Sequence, residues 1–131
     1  MLIILCVSLL FSCGKIGNDL TYENVKGKVK KIVVDYFEAE VYFGEPRKSK
    51  LIKKDIIQYN EEGNITDNTS YNKDGKIEHK SKHQFNKDGI KTEIRSYNVE
   101  GRLSKLIKFD DNGNLTDSYF YNSNGQINKK V

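Results

Sequence analysis

The chain has 131 residues, of which 37% are hydrophobic and 31% are charged, with a formal net charge of +4. This length suits one domain of ordinary size. Its lysines are spread between acidic residues rather than gathered into the continuous basic stripe of a nucleic-acid-binding protein, so we expect no nucleic-acid partner. Both cysteines lie near the N-terminus, which excludes a disulfide framework in the domain that follows.

The chain begins with an almost continuous apolar run, Leu2–Phe11, which is too short to cross a bilayer as a stable anchor. It ends in Leu10-Phe11-Ser12-Cys13-Gly14, which resembles the lipobox of bacterial lipoprotein signal peptides. In that motif a small residue precedes the cysteine that becomes diacylated. The resemblance implies a signal peptide over residues 1–12, lipid attachment at Cys13 and a lipid-anchored location in the bacterial cell envelope, at the outer membrane.

The residues that follow are polar and include glycine, so we predict that residues 13–24 form a lipidated tether. Each methylene of an acyl chain contributes about 0.8 kcal/mol when it is buried in the bilayer, so two or more chains give stable attachment. The alternative for Cys13 is an ordinary buried or disulfide-linked cysteine, for which Cys6 is the only possible partner.

From residue 25 onward we predict a single β domain, residues 25–131. Its first part, Val25–Ile57, is rich in β-branched and aromatic residues, which favour strands. Gly44-Glu45-Pro46 interrupts this pattern and predicts a break between two strands. We expect this part to supply most of the core.

The remainder of the chain is a repeat in which an aromatic residue is followed by Asn or Asp, two variable residues and Gly. The aromatic residues are Tyr59, Tyr71, Phe85, Tyr97, Phe109 and Tyr121, at intervals of 12, 14, 12, 12 and 12 residues. Such an interval leaves room for one strand and one tight turn, but not for a helix.

The local chemistry of each repeat predicts a type I turn closed by a glycine bulge. The Asn or Asp side chain can bond the backbone two residues further on, and Gly adopts a positive φ without a Cβ clash. An apolar residue usually follows two positions after the Gly and restarts a strand, as Ile65 does after Gly63.

These patterns predict an all-β fold, an antiparallel β-meander of about eight strands that forms an open, twisted sheet from repeats of about 12 residues. A closed, lipocalin-like barrel is the alternative. Closure requires apolar residues along the middle of one face, and Glu78–Gln84 is polar at both alternating sets of positions.

No catalytic or metal-binding set stands out, so we expect a non-enzymatic protein without a cofactor. His79 and His83 would share one face of a strand but stand about 13 Å apart, too far for a shared metal. The acidic turn Asp110–Asn114 lacks the ordered ligand alternation and distal Glu of a calcium-binding EF-hand, and turn formation alone requires these residues.

The repeat Tyr-Asn-x-x-Gly-x-Ile/Leu, over Tyr59–Ile127, resembles the Tyr-Asp-x-x-Gly core of the YD repeats in Rhs and related shell-forming proteins. The chain is also similar to small YD-repeat-like lipoproteins of Bacteroidetes-type bacteria, and more distantly to MORN-type repeat antitoxins. The likeness implies a β-hairpin repeat protein in the envelope.

Two classes of function remain open. The first is an envelope lipoprotein whose sheet acts as a binding or scaffold module for a protein or glycan, with the six repeat aromatic residues as candidate contacts. In that case the rings could also serve only to pack neighbouring strands together. The second class is a small-ligand carrier or an antitoxin- or immunity-like repeat protein. The partner and the oligomeric state do not follow from the residues.

Overall fold

The computed structural model describes residues 6–9 and 28–131. These residues form nine β-strands: β1 (Cys6–Leu9), β2 (Lys31–Tyr42), β3 (Glu45–Tyr59), β4 (Ile65–Asn72), β5 (Ile77–Phe85), β6 (Lys91–Tyr97), β7 (Leu103–Phe109), β8 (Leu115–Tyr121) and β9 (Ile127–Lys130). The described part of the chain contains no helix of the length and hydrophobicity needed to cross a lipid bilayer.

The strands form one antiparallel sheet in which each strand pairs with the next along the chain, in the order β1-β2-β3-β4-β5-β6-β7-β8-β9. The first and last strands of this sheet are edges, so the sheet is open and not the closed barrel given as the alternative. The predicted all-β meander is therefore confirmed. Strands β2 to β9 are the eight expected after residue 25, and β1 is an additional strand.

Strand β1 lies within residues 1–12, for which we predict a signal peptide. It pairs with β2 through Cys6 opposite Asp35 and Leu9 opposite Ile32. Cleavage of a signal peptide before Cys13 would remove β1 and leave β2 as the edge of the sheet. Cys13 and the predicted tether lie outside the described residues.

The turn chemistry follows the prediction. In the turn after β6, Asn98 Oδ1 accepts hydrogen bonds from the backbone N–H groups of Glu100 at 3.0 Å and Arg102 at 2.9 Å. The Gly101 N–H donates to the Asn98 carbonyl at 2.9 Å, as expected for a type I turn. The six repeat glycines all have φ between 73° and 84°, and a register shift accompanies the aromatic residue of each repeat hairpin.

The core is small and lies near the start of the sheet. Among residues 28–131 the buried hydrophobic side chains are Val29, Ile32 and Tyr59, and Val34, Ile57 and Ile65 pack against them. The Tyr59 N–H also donates to the Lys30 carbonyl at 3.0 Å, which ties the residues before β2 to the end of β3. Most of this core comes from the hydrophobic first part of the domain, as the sequence predicts.

Strands β2 and β3 extend beyond the other strands as a two-stranded arm, residues 38–50. The pairing of β3 with β4 covers only Lys53–Tyr59, whereas β2 and β3 continue to pair as far as Tyr42 opposite Glu45. Register shifts on both sides of Phe37 mark the base of the arm, where bulges increase the local twist. Most residues of the arm are exposed.

Candidate functional site

The six repeat aromatic residues do not form a single row. Consecutive turns of an antiparallel meander lie at opposite ends of the sheet, so consecutive aromatic residues also lie at opposite ends. They also differ in face. Tyr59 and Asp55 share a face of β3, and Asp55 lies opposite Ser70 on β4. Tyr71 follows Ser70 directly, so its side chain is on the face opposite that of Tyr59. The same alternation continues along the sheet and gives two sets: the first set is Tyr59, Phe85 and Phe109, and the tyrosine set is Tyr71, Tyr97 and Tyr121.

Each member of the tyrosine set lines a cleft between its own turn and an earlier strand. We call these the tyrosine clefts, and their volumes are about 260 Å³ at Tyr71, 280 Å³ at Tyr97 and 470 Å³ at Tyr121. Each cleft contains the glycine of the turn that follows its tyrosine: Gly75, Gly101 and Gly125. The repeat thus builds three related clefts on one face of the sheet.

The same kinds of side chain recur in the tyrosine clefts. Each has at least one aliphatic wall residue from the earlier strand: Leu51 and Ile56, Ile77, and Leu103. Each also has at least one cationic side chain: Lys54 and Lys73, Lys80 and Lys82, and Arg102. No carboxylate lines any of the three clefts in the described part of the chain, so their lining has a positive formal charge.

The spacing of the clefts follows from the sheet. Successive members of the tyrosine set are two strands apart, and neighbouring strands are separated by about 4.7–4.9 Å, so equivalent clefts repeat at about 10 Å along a line that crosses the strands. Cross-strand pairing repeats as well, since Tyr71 lies opposite Ile77, Tyr97 opposite Leu103 and Tyr121 opposite Ile127. A ligand that contacts more than one cleft must therefore be extended.

Most of the cations in the clefts are partly neutralised by nearby carboxylates. Lys54 Nζ lies 3.4 Å from Asp35 Oδ1, and Lys82 Nζ lies 3.9 Å from Asp67 Oδ1. Lys73 Nζ lies 2.7 Å from Asp74 Oδ1, and Arg102 Nη1 lies 3.2 Å from Glu100 Oε2. The Arg102 guanidinium donates to the Ser123 carbonyl at 2.7 Å, which holds it against the next turn of the same face. These exposed contacts are weak, so the side chains stay available to a ligand.

The first set has a structural role in the described sheet. Tyr59 is 6% exposed and belongs to the core. Phe85 lies opposite Lys91, whose Nζ is 5.5 Å from the ring centroid, and Phe109 lies opposite Leu115. These rings cover cross-strand neighbours and hold their hairpins together.

A polar cluster lies on the face opposite the tyrosine clefts. Lys53 Nζ lies 2.9 Å from Asp55 Oδ2, and Asp55 is 9% exposed. Burial by itself raises the pKa of Asp55, but the side chains of Ser70 and Lys53 outweigh it, and the pKa of the carboxyl lies below its usual value. The same contact with Asp55 raises the pKa of Lys53. The carboxylate is held ionised by its neighbours, as in a structural ion pair.

The histidines and the acidic turn have structural surroundings. His79 and His83 are both on β5, and His83 Nε2 lies 3.2 Å from Ser81 Oγ. The cross-strand neighbour of His83 on β6 is Ile94. In the described residues no group of three or more His, Cys, Asp or Glu is placed to hold a metal ion.

In the acidic turn, Asp110 accepts hydrogen bonds from the backbone N–H groups of Asn112 at 2.9 Å and Asn114 at 2.8 Å. The Asn114 side-chain amide donates to the other carboxylate oxygen at 3.1 Å. These bonds lower the pKa of Asp110, with the bond from the Asn114 side chain as the largest cause. The carboxylate closes its own turn, which is the role that turn chemistry predicts.

Sequence reasoning placed all six rings together and missed the side chains that accompany the tyrosine set. Lys73 lies in the turn directly after Tyr71, and Arg102 comes just before β7. The other aliphatic and cationic wall residues come from an earlier strand, and only the cross-strand register brings them beside a tyrosine. The sequence signal that could have separated the tyrosine set from the other aromatic residues is the repeat itself. With one turn per repeat, alternate aromatic residues must lie at the same end of a meander, and Tyr71, Tyr97 and Tyr121 are the alternate ones.

No family model matches this sequence, and no curated protein matches it. Among solved structures, the chain is similar to TarM. In a crystal structure of a Staphylococcus aureus TarM mutant in complex with fondaparinux, alpha-GlcNAc-glycerol and UDP, the identity is 21%, the TM-score is 0.36, and the match covers 72% of this chain and 19% of TarM. In a second TarM structure the identity is 20%, the TM-score is 0.36, and the match covers 92% of this chain and 24% of that one. This chain spans less than a quarter of the TarM length, and such similarity carries no information about its activity.

Proposed function

We propose that this protein is a lipid-anchored, non-enzymatic binding module of the bacterial envelope, and that the tyrosine clefts together bind an extended ligand with repeating units. A glycan is the ligand that the clefts fit best, and a protein surface with a regular repeat is the alternative. The observation that carries the proposal is the recurrence of one set of side chains at a spacing of about 10 Å.

The chemistry of each cleft suits a sugar unit. The face of a tyrosine ring is electron-rich and attracts the weakly positive C–H groups on the face of a sugar ring. Asn72, Asn98 and Asn124 provide polar groups at the rim of the clefts. The cationic side chains favour a glycan that carries carboxylate or phosphate groups, since no carboxylate lines the described clefts. Their ion pairs with Asp35, Asp67, Asp74 and Glu100 are at least partly solvent-exposed and weak, so an anionic ligand can replace them.

The number of clefts compensates for weak individual contacts. Each cleft is open and shallow, and one sugar bound there would exchange rapidly. When one chain occupies two or three clefts, the later contacts are intramolecular, and avidity exceeds the affinity of a single cleft by about 10²-fold or more. An open row of clefts also suits an extended ligand better than a small carried molecule, which is normally enclosed.

The test is capture from native envelopes, followed by separate digestion of the captured material with protease and with glycan-degrading enzymes. Wild type is compared with a Tyr71→Ala, Tyr97→Ala, Tyr121→Ala variant and with a matched Phe85→Ala, Phe109→Ala control from the other face. We expect a glycan to be retained by wild type and by the control, provided that circular dichroism shows each variant to be folded, and to be lost from the triple tyrosine variant. Equal capture by all three proteins would contradict the proposal.

The anchor is tested separately. Replacing Cys13 by Ala removes the atom that would carry the acyl chains, and we expect the variant to leave the membrane fraction for the soluble fraction. Cys6→Ala is the matched control and should leave fractionation unchanged. A Cys13→Ala protein that stays with the membrane would rule out lipid attachment at this residue.

A further inference from the structure

The tip of the arm has an exposed apolar surface that the tyrosine clefts do not use. Val41, Tyr42 and Phe43 are 75%, 54% and 90% exposed, and they are consecutive in the chain. Pro46 pairs with Val41 and is exposed as well. We call these four residues the arm tip. Apolar residues scattered singly over a surface are ordinary, but a contiguous group at the end of a projecting hairpin indicates a contact site.

Phe43 is in a backbone conformation that its side chain disfavours. The hairpin turn has two central residues, Phe43 with φ of 52° and Gly44 with φ of 83°, which is a type I′ turn. Asn, Asp or Gly is the usual first residue of such a turn because a positive φ brings Cβ close to the backbone. Phe43 is also the one residue other than glycine with positive φ in the described part of the chain. The Phe43 ring contacts the Tyr42 ring edge-on, with 4.5 Å between the centroids, but it stays 90% exposed. The fold therefore offsets little of this strain, which indicates that the ring serves a contact outside the molecule.

The shape of the arm tip suits contact with a lipid layer better than contact with a protein surface. Val41 and Pro46 point to one side of the hairpin, Tyr42 points to the other, and Phe43 caps the end. These directions diverge from a tip only two strands wide, whereas a stable protein interface needs about 800 Å² of complementary surface on each partner. A lipid layer closes around a narrow convex tip from all sides and needs no preformed groove.

Charged side chains lie behind the apolar residues. The Arg47 guanidinium carbon is 4.8 Å from the centroid of the Tyr42 ring, and Lys48 Nζ is 3.5 Å from the centroid of the Phe37 ring nearer the base. Long cationic side chains can lay their stems along apolar groups and hold their charge at the headgroup level, and aromatic residues concentrate at that level. Glu45, opposite Tyr42, is a carboxylate at the rim of the arm tip and limits insertion to shallow depth.

We propose that the arm tip inserts into the interfacial layer of a lipid bilayer and is a membrane contact distinct from the acyl chains expected at Cys13. The turns of the tyrosine set lie at the same end of the sheet as this tip, because both follow strands that run in the direction of β2. Insertion therefore brings the tyrosine clefts towards the membrane surface. The proposal does not depend on what the clefts bind.

The chain has no tryptophan, so a single introduced tryptophan reports the surroundings of one position. In the full chain, Phe43→Trp places the reporter at the arm tip, and Val99→Trp places it in a turn at the same end of the sheet, where Val99 is 67% exposed. Each protein is mixed with vesicles of phosphatidylethanolamine and phosphatidylglycerol. We expect the emission of the Phe43→Trp protein to shift to shorter wavelength and to be quenched by brominated lipid, and that of the Val99→Trp protein to stay at the wavelength found in water.

A second reporter removes the dependence on the strained position. Tyr42→Trp should show the same shift in emission. Adding Phe43→Asn to this variant should raise the lipid concentration needed for half of that shift about tenfold, because the Phe ring that would be buried in lipid is removed. Unchanged emission at position 43 with vesicles overturns the proposal. If the emission then shifted only when envelope protein was added, the arm tip would be a protein contact instead. Equal quenching at positions 43 and 99 would indicate adsorption of the whole end of the sheet and would also overturn the proposal.

Discussion

Tyr59 and Tyr97 occupy the same position of the repeat, but Tyr59 is buried in the core at one end of the sheet and Tyr97 lines a cleft at the other end and on the other face. We therefore expect opposite consequences from the same substitution. Tyr59→Ala should lower the free energy of unfolding by about 3–5 kcal/mol, because it leaves a cavity among Ile32 and Val29. Tyr97→Ala should lower the free energy of unfolding by about 1 kcal/mol and should reduce capture of the proposed glycan. Urea denaturation measures both changes, and a larger loss at Tyr97 would make that ring structural.

The turn asparagines should tolerate Asp and not Ala. Asn98 Oδ1 accepts two backbone hydrogen bonds, and Asp110 makes the equivalent bonds in its own turn. We expect Asn98→Ala to cost about 1–2 kcal/mol and Asn98→Asp less than about 0.5 kcal/mol, because only Ala removes the acceptor. Thermal denaturation of the two variants checks this difference. If both variants lost the same stability, the side-chain acceptor would not hold the turn.

Replacing the strained residue at the arm tip should make the protein more stable. We expect Phe43→Asn to raise the free energy of unfolding by about 0.5–1 kcal/mol, because Asn adopts positive φ more readily and the exposed ring contributes little packing. Val99→Asn is the matched control for removal of an exposed apolar side chain. A loss of stability in Phe43→Asn would show that the ring packs within the protein, for example through its contact with Tyr42, whose centroid is 4.5 Å away.

Acid should weaken the fold partly through Asp55. The pKa of Asp55 is lowered in the folded protein, so its contribution to stability is complete above the unfolded value of about 3.9. It is lost as the pH falls through the lower folded value. Asp55→Asn should be less stable than wild type near neutral pH, and the difference should shrink as the pH falls below about 4. Urea denaturation over this range tests the sign, with Asp111→Asn, an exposed turn residue, as control.

The strands, the turns and the order of pairing could be predicted because they depend on short stretches of chain. Asn98 and Gly101 form their turn through bonds that span at most four residues, and the same residues in the other repeats form the same turn. Because each strand from β3 to β8 is followed by such a turn, each of them pairs with the next and the meander follows. The position of the core could also be predicted, because the first part of the domain is the more hydrophobic one.

Which side chains surround each aromatic residue was decided only by the tertiary structure. Tyr71 and Phe85 follow the same local rule, but they reach opposite ends and faces because successive strands run in opposite directions. Lys80 and Ile77 lie well before Tyr97 in the sequence and become its neighbours only through the register of β5 with β6. The arm likewise depends on how far β3 pairs with β4. Local bonds determined the elements from the sequence, whereas the surfaces depend on contacts between residues distant in the chain, which only the register of the assembled sheet specifies.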